Sequence, residues 1–239
     1  MKQKPVIIIL SCEHAVNTIP PEFERYFTEH SALLNSHRGI DFGAAAIARH
    51  LSQSLNCYLL SATISRLLID YNRTLNQPGC FSEISKNSPD ALKQTLIESY
   101  YQPYRQQIIK QINTSIAEGY QVWHLSIHSF TPVMDGVVRE TDIGILYDPA
   151  RESEKRLVRR WQQLLKSHDK HWRTRLNYPY KGTADGFTTH LRSEYADSDY
   201  LGIEMECNQA LMQDTSNLAR MSKLLECTLL KLLHLNDLS

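Results

Sequence analysis

The chain has 239 residues, with Lys+Arg and Asp+Glu both at 26 and a formal net charge of zero. That balance argues against nucleic acid or an anionic membrane as the main partner, because both need a concentrated positive field. The five cysteines, Cys12, Cys57, Cys80, Cys207 and Cys227, form no CxxC pair, which suits a reducing cytoplasm and argues against a disulfide framework or a Cys-rich zinc finger.

In chain order, Met1-Lys-Gln-Lys precedes a continuous apolar run at residues 6–10, rich in β-branched side chains, the pattern of a buried parallel strand. The run is too short for a signal-peptide core, and no apolar segment approaches the roughly 18 residues of a membrane span. Pro20-Pro21 punctuates the loop that follows. Asp41 stands where an N-cap would, before a helix with the stripe Ala44, Ile47, Ala48, Leu51 and Leu55. Residues 57–62 read as a second strand, 67–69 as a short third, and 77–89 as a polar loop. A long helix is expected over 89–118, on the spacing of Leu92, Leu96, Ile108, Ile112 and Ile116. Pro103 should start, kink or split it, and Gly119 should stop it. Residues 122–127 and 143–147 read as strands, and 151–167 as a basic amphipathic helix. Residues 177–195 read as a long polar loop, which in a compact domain is often functional. Residues 201–207 make a last strand and 218–235 a closing helix. Alternating strands and helices without a linker predict one α/β domain over residues 1–239, with a mainly parallel or mixed central sheet flanked by helices.

Reactive side chains gather where these strands end. Residues 6–10 run into Cys12-Glu13-His14, residues 122–127 into His128-Ser129, and the strand at 201–207 carries Glu204 and Glu206. In open α/β sheets ligands bind beyond the carboxyl ends of the strands, so residues remote in sequence meet in one crevice. His14 and His128 are the best candidates to converge, although a His at a strand end also serves as a plain hydrogen-bonded structural residue. Glu204 and Glu206 share one face, since side chains alternate with period two. One of them could instead pair with Arg66, Arg73 or Arg139. The stretch from Ser65 to Arg73 offers a bidentate grip for a carboxylate in its arginines and a further donor in Asn72. Asp70 could orient Arg73, act as an acceptor behind the site, or form an internal ion pair.

Several blocks, taken in order, resemble the N-formylglutamate amidohydrolase family. They are Ser11-Cys-Glu-His-Ala15, His37-Arg-Gly-Ile-Asp41 with Gly43-Ala44, and Ser65-Arg-Leu67 with Asp70-Tyr-Asn-Arg73. His128-Ser-Phe130, Arg139 with Asp142-Ile-Gly144, Asn177-Tyr-Pro-Tyr180 and Gly202-Ile-Glu-Met-Glu206 complete them. The resemblance implies a phosphorylase/hydrolase-like α/β fold similar to the zinc-dependent exopeptidases. It also implies hydrolysis of a carbon–nitrogen bond in a small acidic N-acyl amino acid such as N-formyl-L-glutamate, with a divalent metal, zinc first. By that pattern His14 and His128 would be metal ligands and Glu206 the general base. Asn72 and Arg73 would grip the substrate's carboxylate by the same pattern. Arg66 is a further substrate-binding candidate, and in a metal-assisted mechanism Arg139 is the candidate that helps the metal to stabilise the oxyanion.

The exopeptidase-like pattern has a Glu three positions after the first His, where this chain has Asn17, a poor zinc ligand. The third ligand must come from elsewhere. Asp41 is preferred over Glu13, because neighbours in extended chain point to opposite sides and Glu13 adjoins His14. Two other readings remain open at this level. One is a metal-free hydrolase in which Cys12 attacks, activated by His14 or His128. The other is a non-catalytic binder of an acidic metabolite in the same pocket.

Overall fold

The β-branched run after Pro5 forms strand β1 (Val6–Cys12), buried from Ile8 onward, in a computed structural model that describes residues 4–237. A short helix, α1 (Ser31–Leu34), interrupts the following loop. Helix α2 (Ala44–Leu55) buries Ala44, Ile47, Ala48 and Leu51, as their spacing predicts. Its N-cap is Gly43 rather than Asp41. Gly43 is left-handed at φ 79°, and a Cβ there would meet Met212 Sδ at 2.6 Å. The Asp41 carboxylate is therefore free of capping duty. Strand β2 (Tyr58–Ser61) follows.

No strand forms at residues 67–69. Leu67, Leu68 and Ile69 are buried, but the backbone turns there, with the Leu68 N–H donating to Ser65 O at 3.0 Å. Three apolar residues act as a core anchor for a loop.

The long helix splits at Pro103. Helix α3 (Asp90–Leu96) passes through a π-helical segment, Ile97–Tyr101, into α4 (Gln102–Ala117), with the proline in the first turn of α4. Proline has no N–H for the preceding turn, so the ladder widens there.

Strand β3 (Gln121–Phe130) runs past Ile127, which puts His128 inside the strand. Strands β4 (Val133–Met134) and β5 (Val137–Val138) make a small hairpin turned by Asp135 and Gly136, at φ 50° and 77°. Then come β6 (Ile143–Leu146), α5 (Glu152–His168) and the edge strand β7 (Thr174–Leu176). Residues 177–195, expected as loop, contain helix α6 (Phe187–Glu194), which buries Phe187, Thr188 and Leu191. So short a stripe gives little periodic signal. Strand β8 (Tyr200–Asn208) is buried along its length, and α7 (Thr215–Asp237) follows.

The sheet order is β2-β1-β3-β8-β6-β7. Strands β2, β1, β3 and β8 are mutually parallel, β6 is antiparallel to β8, and β7 is parallel to β6. The sheet is mixed, as the α/β pattern allows. Helices α2, α7 and α5 pack side by side on one face, and α4 and α6 cover the other. Four adjacent parallel strands bring the carboxyl ends of β1, β3 and β8 to one edge, which is where the site lies. Among the described residues, no helix is long and apolar enough to cross a membrane.

Candidate active site

A cleft of about 970 Å³ opens over the carboxyl ends of β1, β3 and β8. His14, Asp41, His128 and Glu206 line it. His14 follows β1, His128 lies in β3, and Asp41 enters from the loop before α2, where its N–H donates to His14 O at 3.1 Å. One oxygen, Asp41 Oδ2, sits 3.2 Å from His14 Nδ1 and 3.0 Å from His128 Nδ1. The two imidazoles are tilted by 57°, with ring centroids 4.8 Å apart. One donor atom from each of the three residues lies within 4.8 Å of the others, and all three residues are buried.

The far nitrogens face carboxylates. His14 Nε2 is 2.7 Å from Asp70 Oδ1, and His128 Nε2 is 3.2 Å from Glu13 Oε2 and 2.7 Å from Ser126 Oγ. Ser126 Oγ in turn donates to Glu13 Oε2 at 2.6 Å. Such partners orient the two rings and turn each Nδ1 toward Asp41. Glu13 thus stands behind His128, away from the converging atoms. Arg66 donates to Asp70 Oδ2 at 2.7 Å and to Asp41 Oδ1 at 3.5 Å.

Burial would raise every one of these carboxyl groups. At Glu13 the hydrogen bond and charge of His128 outweigh burial, and the group falls to about 2. At Asp41 the two histidines, and at Asp70 Arg66 and His14, win the same contest, and both stay well below the usual carboxylate range. Burial would lower His128, but Asp41 and Glu13 raise it well above an ordinary imidazole. Glu206 goes the other way. Burial, with the charges of Asp41 and Glu204, lifts it to about 8 against the pull of His128 and Arg66. Its Oε2 is buried without a hydrogen-bond partner. A carboxyl held near neutrality suits a group that accepts and returns a proton.

Two imidazoles and a carboxylate form a donor set suited to a divalent cation such as zinc, and an orphaned carboxylate oxygen nearby suits a water on that cation. The residues fit a metal.

The other expected residues divide. Arg66, Asn72 and Arg73 all line the cleft. Asn72 Oδ1 accepts the Phe187 N–H at 2.7 Å, which leaves its Nδ2 as a donor. Arg73 donates to Asp185 O at 3.0 Å. The Asp70 carboxylate partners His14 and Arg66 rather than Arg73, which pairs with Asp185. Arg139 is not part of the lining. It donates to Tyr180 Oη at 3.3 Å from the rim, where the β4–β5 hairpin places it. Of the aromatic residues near the motifs, Tyr180 lines the cleft, whereas Tyr71 stacks on Tyr104 at 4.5 Å in the core. Cys12 is fully buried and lies outside the lining. Burial, aided by Glu13 and Asp41, raises its thiol well above the ordinary value. A thiol so placed is neither ionised nor accessible, which contradicts the cysteine-nucleophile reading.

Sequence reasoning missed Asp185. Its carboxylate accepts the Thr74 hydroxyl at 2.6 Å and the Thr74 N–H at 3.2 Å, which ties the loop before α6 to the Asn72-Arg73 segment. The only local signal is the Asp185-Gly186 turn dipeptide, which says nothing about a partner over a hundred residues away.

The sequence pattern of the N-formylglutamate amidohydrolases matches residues 6–213. The chain belongs to that family. It is therefore a hydrolase of carbon–nitrogen bonds. Among solved structures, a gene product from Agrobacterium tumefaciens is 28% identical over 96% of this chain and 91% of that one, with a TM-score of 0.83. An N-formylglutamate amidohydrolase from Ralstonia eutropha shares the fold at a TM-score of 0.71 and 18% identity, over 99% of this chain and 94% of that one. A comparison with curated proteins finds no match. The family match agrees with the resemblance read from the motif blocks, all of which fall inside the matched residues.

Proposed function

We propose that this family member is a metal-dependent amidohydrolase that cleaves the amide of an N-acyl amino acid of the N-formyl-L-glutamate type. The observation that carries the reading is the convergence of His14 Nδ1 and His128 Nδ1 on Asp41, on the floor of a cleft that Glu206 also lines. His14, Asp41 and His128 would hold one divalent ion, zinc by donor chemistry. When bound, the ion supplies Lewis-acid activation of water and of the substrate carbonyl.

The chain's own residues do the rest. Glu206 takes a proton from the attacking water and returns it to the leaving nitrogen. Asp70 and Glu13 hold the imidazoles in orientation through their far nitrogens. Asn72 Nδ2 and Arg73 receive the substrate's α-carboxylate, which turns binding into orientation of the amide. Arg66 is the guanidinium beside Asp41 and Asp70, so it is better placed than Arg139 to face a developing oxyanion. Arg139, on the rim, would contact the outer part of the substrate through Tyr180. The five free thiols fit action in the cytoplasm.

The test is amine release across a panel of N-acyl amino acids, with and without chelator. Release that stops with chelator and returns with added zinc supports the reading. Release insensitive to chelator, with no metal in the purified protein, refutes it.

A further inference from the structure

We propose that Glu204 is a substrate-contacting acceptor for the N–H of the scissile amide, an inference that rests on the amidohydrolase reading above. Glu204 lines the cleft but is only 8% exposed. Its Oε1 accepts the Thr188 hydroxyl at 2.6 Å. Among the described residues no cation pairs with it, and Oε2 accepts from no protein group. The arginines that could have neutralised it are engaged elsewhere: Arg66 with Asp70, Arg73 with Asp185, and Arg139 with Tyr180. A nearly buried carboxylate without a counter-charge is costly, unless a donor arrives with the ligand.

Its place in the cleft identifies that donor. Glu204 and Glu206 point to the same side of β8. A Cβ added to Gly186 would lie 3.0 Å from Glu204 Oε1 and 3.4 Å from Asn72 Oδ1, so Glu204 adjoins the carboxylate grip as well. Glu204 therefore neighbours the base along β8 and the grip on its Asn72 side. In an N-acyl amino acid the amide nitrogen is bonded to the carbon that carries the α-carboxylate and to the carbonyl carbon under attack. With the carboxylate at Asn72 and Arg73 and the carbonyl beside Glu206, the N–H falls at Glu204.

The chemistry balances. Water gives one proton to Glu206 as the new C–O bond forms. The C–N bond breaks as that proton passes to nitrogen, giving an amine and a carboxylic acid. The acid's proton, the second from water, converts the amine to an ammonium ion. Glu204 accepts from the N–H throughout, and its charge favours the nitrogen as it gains protons.

The decisive variant is Glu204→Gln. Its amide oxygen can still accept from Thr188, while the atom facing the cleft becomes a donor. Metal-loaded wild type and variant are compared on N-formyl-L-glutamate and on the formate ester of 2-hydroxyglutarate, in which oxygen replaces the N–H. The expected result is a fall in kcat/KM of about 10–100-fold on the amide, with ester turnover within about twofold of wild type. Equal losses on both substrates, or no loss on the amide, overturn the proposal and leave the amidohydrolase reading standing. Wild-type protein that releases no amine from any N-acyl amino acid overturns that reading and the proposal with it. If Glu204→Gln does not fold, Thr188→Val makes the same comparison at nearly constant volume. A smaller, amide-selective loss supports the proposal, and an unselective loss overturns it.

Discussion

His128 and Glu206 are register partners on the adjacent parallel strands β3 and β8. Partners in register project to the same side of a sheet. The backbone ladder alone therefore sets the proposed base beside the proposed ligand, and no flexible loop intervenes. Both side chains are almost fully buried, at 3% and 5% exposure. Glu206→Gln should lower kcat by about 10²–10⁴-fold. Bound metal should not change. Steady-state kinetics and elemental analysis on the same preparation check both halves, and wild-type turnover would remove Glu206 from the role.

The carboxylates behind the imidazoles give a second expectation. Asp70 and Glu13 sit against the Nε2 atoms of His14 and His128. Asp70→Asn and Glu13→Gln should each weaken metal affinity by about 10–100-fold, the usual effect of such partners. Glu13→Gln also decides between a supporting role and direct ligation. Complete loss of metal in that variant would restore Glu13 as the third ligand.

The candidate site was legible in the sequence where chemistry coincides with a strand end. His14, His128 and Glu206 could be found because an apolar run stops where a parallel strand must open onto a crevice. Asp41 is preferred in the sequence only against Glu13, on side-chain direction, since nothing in its neighbourhood announces a ligand. The pairings of Asp70 with His14 and of Glu13 with His128 were not legible. They depend on side-chain rotation and on loop closure across 56 residues for the first and on cross-strand register for the second. The antiparallel direction of β6 leaves no mark in four apolar residues, Ile143–Leu146. Arg139 is expected from the sequence to stabilise the oxyanion, yet the β4–β5 hairpin carries it to the rim.

Cys12 provides a negative control. It is packed into the core beneath β1's end, with a thiol that burial keeps protonated. Cys12→Ala should leave kcat within about twofold of wild type and cost on the order of 1 kcal/mol for the small cavity. A collapse of turnover with metal content intact would return the thiol to the mechanism.

His124 makes stability depend on pH. It is fully buried in β3, with Nε2 2.8 Å from Ser11 Oγ and Nδ1 2.8 Å from Tyr200 Oη. Burial holds it down to about 4, with Arg192 and His128 helping and Glu13 opposing. An unfolded histidine titrates near 6.5. The folded state therefore binds fewer protons between these values. The stabilisation is whole above about 6.5 and is lost as pH falls toward about 4. Between pH 7 and about 4.5, wild type should lose on the order of 2–3 kcal/mol more unfolding free energy than His124→Gln. Urea unfolding of both proteins at the two pH values measures this. Equal losses would mean that His124 does not titrate as its burial requires.

The central claim is that His14, Asp41 and His128 hold one divalent ion. Zinc titration of chelator-stripped protein tests it most directly, with wild type and His128→Ala side by side. One tight equivalent in wild type and none of comparable affinity in the variant is the expected result. Equal binding by both proteins would contradict the account.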